Sequence, residues 1–270
     1  MYSYLRNTTL GNEHVGVAQS LNDLADVLED QNRLIEAEPL QRQALEMSKK
    51  LRGEIHEDTA NLMNNLALML LRENKLDEAE ALYCETLEIR RKVYGEDHPV
   101  VAQSLKNLAL VLRRERKWPE AEPVLRQAVE LSRKQSDHET RETSDLLADL
   151  AVVLIKSYKF TEAELAAREC FTIRSELTPD SSGTFVAQSM VGTSLLGQNR
   201  FTEAEPLLVQ ACEGLTRLQG QKPSSYGKWL VNEAGERIVQ LYESWGKPTE
   251  AAEWRKKLSD LAKAPAGTSP

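Results

Sequence analysis

Three of the four histidines, His14, His56 and His98, fall 42 residues apart, and His138 stands near the next step. Imidazoles at regular spacing are metal-ligand chemistry when they converge on one helix face or one loop. Here the step is too long for that. Each histidine belongs to its own loop, and His56-Glu57-Asp58-Thr59-Ala60 has alanine where a zincin needs its second histidine. The expected role is a loop residue that caps the helix after it. Paired carboxylates recur as well, as Glu-Ala-Glu at 36–38, 78–80, 120–122, 162–164 and 203–205. Two residues apart on a helix they point to different sides, so they make no general acid–base pair. Near a helix start they favour the positive end of the helix dipole. Cys84, Cys170 and Cys212 are odd in number, far apart and set in helical patterns, as reduced and mostly buried thiols of a cytoplasmic protein would be. A phosphate-binding glycine loop, a Gly-x-Ser-x-Gly elbow and a Cys-x-x-Cys pair are absent from the sequence. The expectation is a protein without catalytic residues, metal or cofactor.

The elements that carry these residues repeat. Leu24-Ala25, Leu66-Ala67, Leu108-Ala109 and Leu150-Ala151 keep the 42-residue step, as do Leu28, Leu70, Leu112 and Leu154. A large apolar residue, Leu34, Leu76, Trp118, Phe160 or Phe201, precedes each Glu-Ala-Glu, and a degenerate copy, Glu250-Ala251-Ala252, closes the series. Each unit predicts two helices. In the second unit, Leu62, Leu66, Ala67 and Leu70 make one face of a helix A, Asn74-Lys75 breaks it, and Ala79, Leu82, Tyr83 and Leu87 run along a helix B. Thr161 with Glu164, Thr202 with Glu205, and Asp77 with Glu80 have capping-box spacing for helix B. Pro39, Pro123 and Pro206 are placed in its first turn. The alanine columns let the two helices approach closely. One such hairpin buries too little apolar surface to offset the entropy of ordering it, so neighbours must share their apolar faces.

The chain has 270 residues, a formal charge of −8, 28% charged and 6% aromatic residues. An acidic balance argues against nucleic acid as a partner. Without an apolar run long enough to span a bilayer or a signal-peptide start, the chain is expected in the cytoplasm with no membrane partner.

Gly95-Glu96-Asp97-His98-Pro99-Val100-Val101-Ala102-Gln103-Ser104-Leu105-Lys106-Asn107-Leu108-Ala109 resembles the signature of the 42-residue tetratricopeptide repeat of kinesin light chains, and residues 14–22 resemble a second copy. The resemblance covers about residues 10–220. It implies an all-α fold: a right-handed α-solenoid of about six antiparallel helix pairs. The units run 14–53, 54–95, 96–137, 138–179 and 180–220. A partial helix precedes them at 1–13, a capping pair spans 221–262 and a disordered tail 263–270. The heptad coiled coil of the family is absent from this sequence. From Phe185 onward the units are similar to carboxy-terminal repeats of bacterial multidomain proteins, including serine/threonine kinases.

The resemblance implies that helix A lines a concave groove for a protein partner. The groove positions that follow are Asn22 in the first unit and Asn64, Leu68, Leu71 and Arg72 in the second. Lys106, Leu110, Arg113 and Arg114 follow in the third, and Val152, Ile155 and Lys156 in the fourth. An apolar floor with a basic rim suits an acidic segment with hydrophobic anchors, and asparagines can bond a peptide backbone. Bacterial kinesin light chains, associated with bacterial tubulins, have similar length and organisation. They imply a tubulin-like filament as partner. A regulatory module of a bacterial signalling system is the alternative. Trp229, Trp245 and Trp254 are expected to cluster and close the end of the stack.

Overall fold

The computed structural model describes residues 15–135 and 140–263. Twelve helices occur among them. The expected partial helix at 1–13, His14, His138 and the expected tail 263–270 lie outside the described residues, except Lys263, which ends the last helix. The chain divides into two compact units, residues 1–135 and 136–270.

Unit 1 contains α1 (Val15–Asp30), α2 (Leu34–Arg52), α3 (Glu57–Arg72), α4 (Leu76–Tyr94), α5 (Pro99–Arg114) and α6 (Trp118–Gln135). Consecutive helices pack as antiparallel pairs, and each pair packs on the next. The alanines set the spacing. Ala37, Ala79 and Ala121 at the head of each B helix, and Ala25, Ala67 and Ala109 in each A helix, are buried. Leu66 and Leu108 are buried with them, whereas Leu24 is 41% exposed.

Unit 2 contains α7 (Arg141–Lys156), α8 (Phe160–Leu177), α9 (Ser182–Gly197), α10 (Phe201–Gln221), α11 (Ser225–Ser244) and α12 (Pro248–Lys263). Ala163, Ala204 and Ala251 hold the same place in its B helices. In α9 the alanine column becomes Gly192, where a Cβ would meet Leu208 Cγ at 2.6 Å, so only glycine fits against α10.

Two devices punctuate each pair. Helix A ends on a left-handed residue, Asn32, Asn74, Arg116, Tyr158 or Asn199, each with φ near 60°. The next N–H then bonds back to the carbonyl five residues earlier, as from Lys75 to Leu70 and from Lys159 to Leu154, both 2.9 Å. This is a Schellman closure, and it satisfies a carbonyl the helix end would leave open. Helix A begins on a side-chain cap. His56 Nδ1 accepts from the Asp58 N–H and His98 Nδ1 from the Val100 N–H. Thr140, Ser181 and Ser224 do the same in unit 2.

Helix B departs from the expected capping box. Its N-cap positions Arg33, Lys75, Lys159 and Arg200 make no side-chain cap bond, because the helix already begins at the large apolar residue. Thr161, Thr202 and Asp77 therefore lie inside the first turn. Pro39, Pro123 and Pro206 stand further in than expected, six positions along. Their rings are exposed, on the side away from the packed face.

Candidate protein-binding face

In four of the Glu-Ala-Glu copies the second glutamate, Glu38, Glu80, Glu164 or Glu205, bonds the following hairpin. Lys75, in the turn before α4, donates to Glu38 of α2 at 2.6 Å, and Lys117 repeats this with Glu80. Burial alone would raise the Glu38 carboxyl, but bonds from Lys75 and Arg42 outweigh it and hold it below the usual carboxylate range. In unit 2, Arg200 and Gln198 both donate to Glu164 at 2.8 Å, and the Tyr242 hydroxyl donates to Glu205 at 2.6 Å. These carboxylates couple each pair to the next within its unit from the B-helix side.

On that face in unit 1, α3 and α5 present Leu68 and Leu110 at matching positions, 37% and 38% exposed. Arg72 reaches across to Glu29 of α1 at 2.8 Å, and Arg114 donates to the Leu71 carbonyl of α3 at 3.1 Å. Both arginines are exposed and follow the leucines by one helical turn. Asn64 accepts from Asn107 of α5 at 2.8 Å. Lys106 and Arg113 are half-buried. Burial pushes the Glu29 and Asp26 carboxyls of α1 up, with Arg72 opposing the shift at Glu29 and the Asn22 amide opposing it at Asp26.

Two expected groove residues are elsewhere. Leu71 is 2% exposed and packs in the core, because the helical turn carries it past the exposed stripe that Leu68 and Arg72 occupy. Asn22 is 7% exposed, and its side-chain oxygen accepts from Gln41 and Asn65, both 3.1 Å, so it joins α1, α2 and α3 rather than facing solvent. In unit 2, considered by itself, Val152 and Ile155 of α7 are half-buried and Lys156 is exposed.

The tryptophans do not form one cluster. Trp245 stacks on Phe201 with ring centres 5.8 Å apart and carries Lys247 over its face, while Trp254 carries Lys257. Trp229 stacks with Tyr226. Sixteen residues of helix α11 separate it from Trp245, roughly 24 Å at the α-helical rise. Of the cysteines, all free, Cys170 and Cys212 are buried, as expected of mostly buried thiols, and Cys84 is exposed. Burial pushes the Cys170 thiol up to about 11.

A model described as tetratricopeptide repeat matches residues 17–58, and a second with the same description matches 58–134. Residues 17–134 are tetratricopeptide repeats. No curated protein sequence matches the chain. Among solved structures, a putative kinesin light chain of Podosopora anserina with nearly identical tetratricopeptide-like repeats has a TM-score of 0.66 at 20% identity, covering 78% of this chain and 100% of that one. BtubC (BKLC) from P. vanneervenii has a TM-score of 0.55 at 17% identity over 100% of this chain and 88% of that one. YrrB, a tetratricopeptide protein with an unusual peptide-binding site, has a TM-score of 0.52 at 19% identity over 81% and 92%. These likenesses establish the all-α helix-pair fold.

Tetratricopeptide repeats of the kind matched at residues 17–134 are in general non-catalytic scaffolds for protein–protein interaction. Among the described residues no helix is long and apolar enough to cross a membrane, and no group of histidine, cysteine and carboxylate side chains is placed to hold a metal.

Proposed function

We propose that the chain is an adaptor that holds a partner protein on the A-helix face of unit 1, and that the partner is a bacterial tubulin-like filament. The observation that carries this is the pair Leu68 and Leu110. They sit half-exposed at equivalent positions of successive A helices, each one helical turn before an arginine, Arg72 or Arg114, that is itself exposed. Leucines repeated at one exposed column supply apolar anchors, and pre-positioned arginines supply planar donors for carboxylates. An acidic segment with hydrophobic side chains complements both. The likeness to BtubC over the whole of this chain supports a filament as the source of that segment.

The test is co-sedimentation of the full chain with assembled bacterial tubulin-like filaments, for wild type and for Arg113→Glu with Arg114→Glu. The wild type is expected to pellet, less so as salt rises, and the variant to stay in the supernatant with unchanged helicity. Wild type left in the supernatant removes the filament as partner. Equal pelleting of both proteins removes this face.

A further inference from the structure

We infer that a cavity between the start of α1, the end of α2 and the start of α3 is a receptor for an arginine side chain of a partner protein. The chain itself shows what such a space holds. Arg90 leaves the last turns of α4 and lies between α3 and α5, 6% exposed. Its Nη1 donates to Ser104 Oγ at 2.9 Å and its Nη2 to Asn61 Oδ1 at 3.0 Å. In unit 2, two repeat steps later, Arg174 does the same work. Its Nη2 donates to Asp145 at 2.6 Å and its Nη1 to the Gly183 carbonyl at 2.9 Å.

One step before Arg90 the column holds Ser48. Serine is too short to cross the gap, and its hydroxyl instead shares a hydrogen bond with Thr59 at 2.9 Å. What remains is a cavity of about 220 Å³, far above the ~10–15 Å³ that one water requires. Its walls include Ser48, Gln19 and Leu62, which stand one repeat step before Arg90, Asn61 and Ser104. Asn61, Asn65 and Asp58 complete the polar lining. The vacancy is therefore where a guanidinium would lie had residue 48 been arginine, and the exposed side chains of Gln19 and Asn61 leave its mouth open to solvent.

Charge selects the same visitor. Helix α1 carries Asp23, Asp26, Glu29 and Asp30 and no lysine or arginine. Arg52, the cation among the described lining residues, is already bridged to Asp58 at 2.8 Å. At this register Gln19 stands for Asn61, and Leu62 replaces the Ser104 hydroxyl. The Asn61 oxygen already accepts from Arg90, so a guanidinium here would draw on the amide oxygens of Gln19 and Asn65. A planar fork can use several separated acceptors at once, which a lysine ammonium cannot match. The site lies apart from Leu110, Arg113 and Arg114 and stands whether or not the α3–α5 face binds a filament.

The experiment titrates the isotope-labelled full chain with N-propylguanidinium and, separately, with N-propylammonium, following backbone amide shifts. Saturable shifts at Gln19, Ser48, Asn61 and Asn65 are expected, half-complete at ~1–10 mM guanidinium. The ammonium should bind roughly tenfold more weakly. Ser48→Arg with Thr59→Val copies the Arg90 and Val101 pairing and should abolish the response while the melting temperature is kept or raised. Gln19→Leu, at the exposed rim, should weaken it roughly threefold without touching the core. The inference is overturned by non-saturating shifts in the wild type, by equal binding of the two probes, or by an unchanged response in the folded double variant.

Discussion

The A helices of unit 1 and the middle A helix of unit 2 occupy the same place in the repeat and are used differently. Helices α3 and α5 bury one face and show Leu68, Arg72, Leu110 and Arg114 on the other. Helix α9 shows almost nothing. Ala187, Ser189, Met190, Val191, Ser194, Leu195 and Leu196 are all buried along it. The positions that carry leucine and arginine in unit 1 are Thr193 and Gly197 in α9, small and uncharged. A Cβ at Gly197 would enter the ring of Phe160 at 2.3 Å, and Arg237 of α11 donates to Ser189 at 3.0 Å. The repeat sets where the helices go. The exposed column decides whether a face is offered or closed, and the two choices need opposite chemistry.

The contrast is sharpest when two leucines of one helix are compared. Leu70→Ala empties a wholly buried site in α3 and should cost about 2–5 kcal/mol in urea unfolding. Leu68→Ala, two residues away and half-exposed, should cost less than ~1 kcal/mol. It should act on partner binding instead. Comparable losses for both variants would mean that Leu68 belongs to the core.

A smaller effect separates α9 from α5. Gly192→Ala must displace Leu208 and should destabilise unit 2 by about 1–3 kcal/mol. Ala109, at the matching position of α5, is packed at alanine size, and Ala109→Gly should cost about 0.5–1 kcal/mol from helix propensity. Hydrogen exchange localises each loss to its unit. A neutral or stabilising Gly192→Ala would show that α9 and α10 are less closely packed than described.

The least effect is expected from acid. Glu38 and Glu164 have carboxyls held below their ordinary value, against burial, by Lys75 with Arg42 and by Gln198 with Arg168. A depressed folded pKa gives stability that is present above the unfolded value of ~4.3 and is lost as pH falls through the folded one. The melting temperature should drop as pH is lowered below ~4.3, and Glu38→Gln or Glu164→Gln should flatten that drop, each by at most ~1 kcal/mol. Glu29 has the opposite sign. Burial raises its carboxyl, so protonation in the fold gains stability as pH falls, and Glu29→Gln should steepen the acid loss. Identical pH profiles for the three variants would break the distinction between the two sets of carboxylates.

Much of the fold was legible in the order of residue types. The alanine columns, the Leu70 column and the break at Asn74-Lys75 were all read at their true positions, because a packed repeat demands a small residue at each close approach and a turn at each fixed interval. The histidines His56 and His98 were legible as caps for the same reason. The candidate face was legible in part. Leu68, Leu110, Arg72 and Arg114 lie on it, but Leu71 and Asn22 do not, since a column match gives the helix and only the local angle gives the side that faces out. The glutamate that bonds the next hairpin has the spacing of a capping residue in the sequence. Its recurring cation, 37 residues on at Lys75 and Lys117, was the signal that named its partner.

The sequence by itself determined the unit, its period and the helix pair within it, because local periodicity and turn chemistry act over tens of residues and leave their mark in composition. Only the tertiary structure decided which exposed column remains open, that α9 is covered by its neighbours, and that Ser48 leaves a space where Arg90 fills one. Those outcomes depend on how far a side chain reaches across a gap between helices, and that distance is fixed by packing rather than by the order of residues along any one helix.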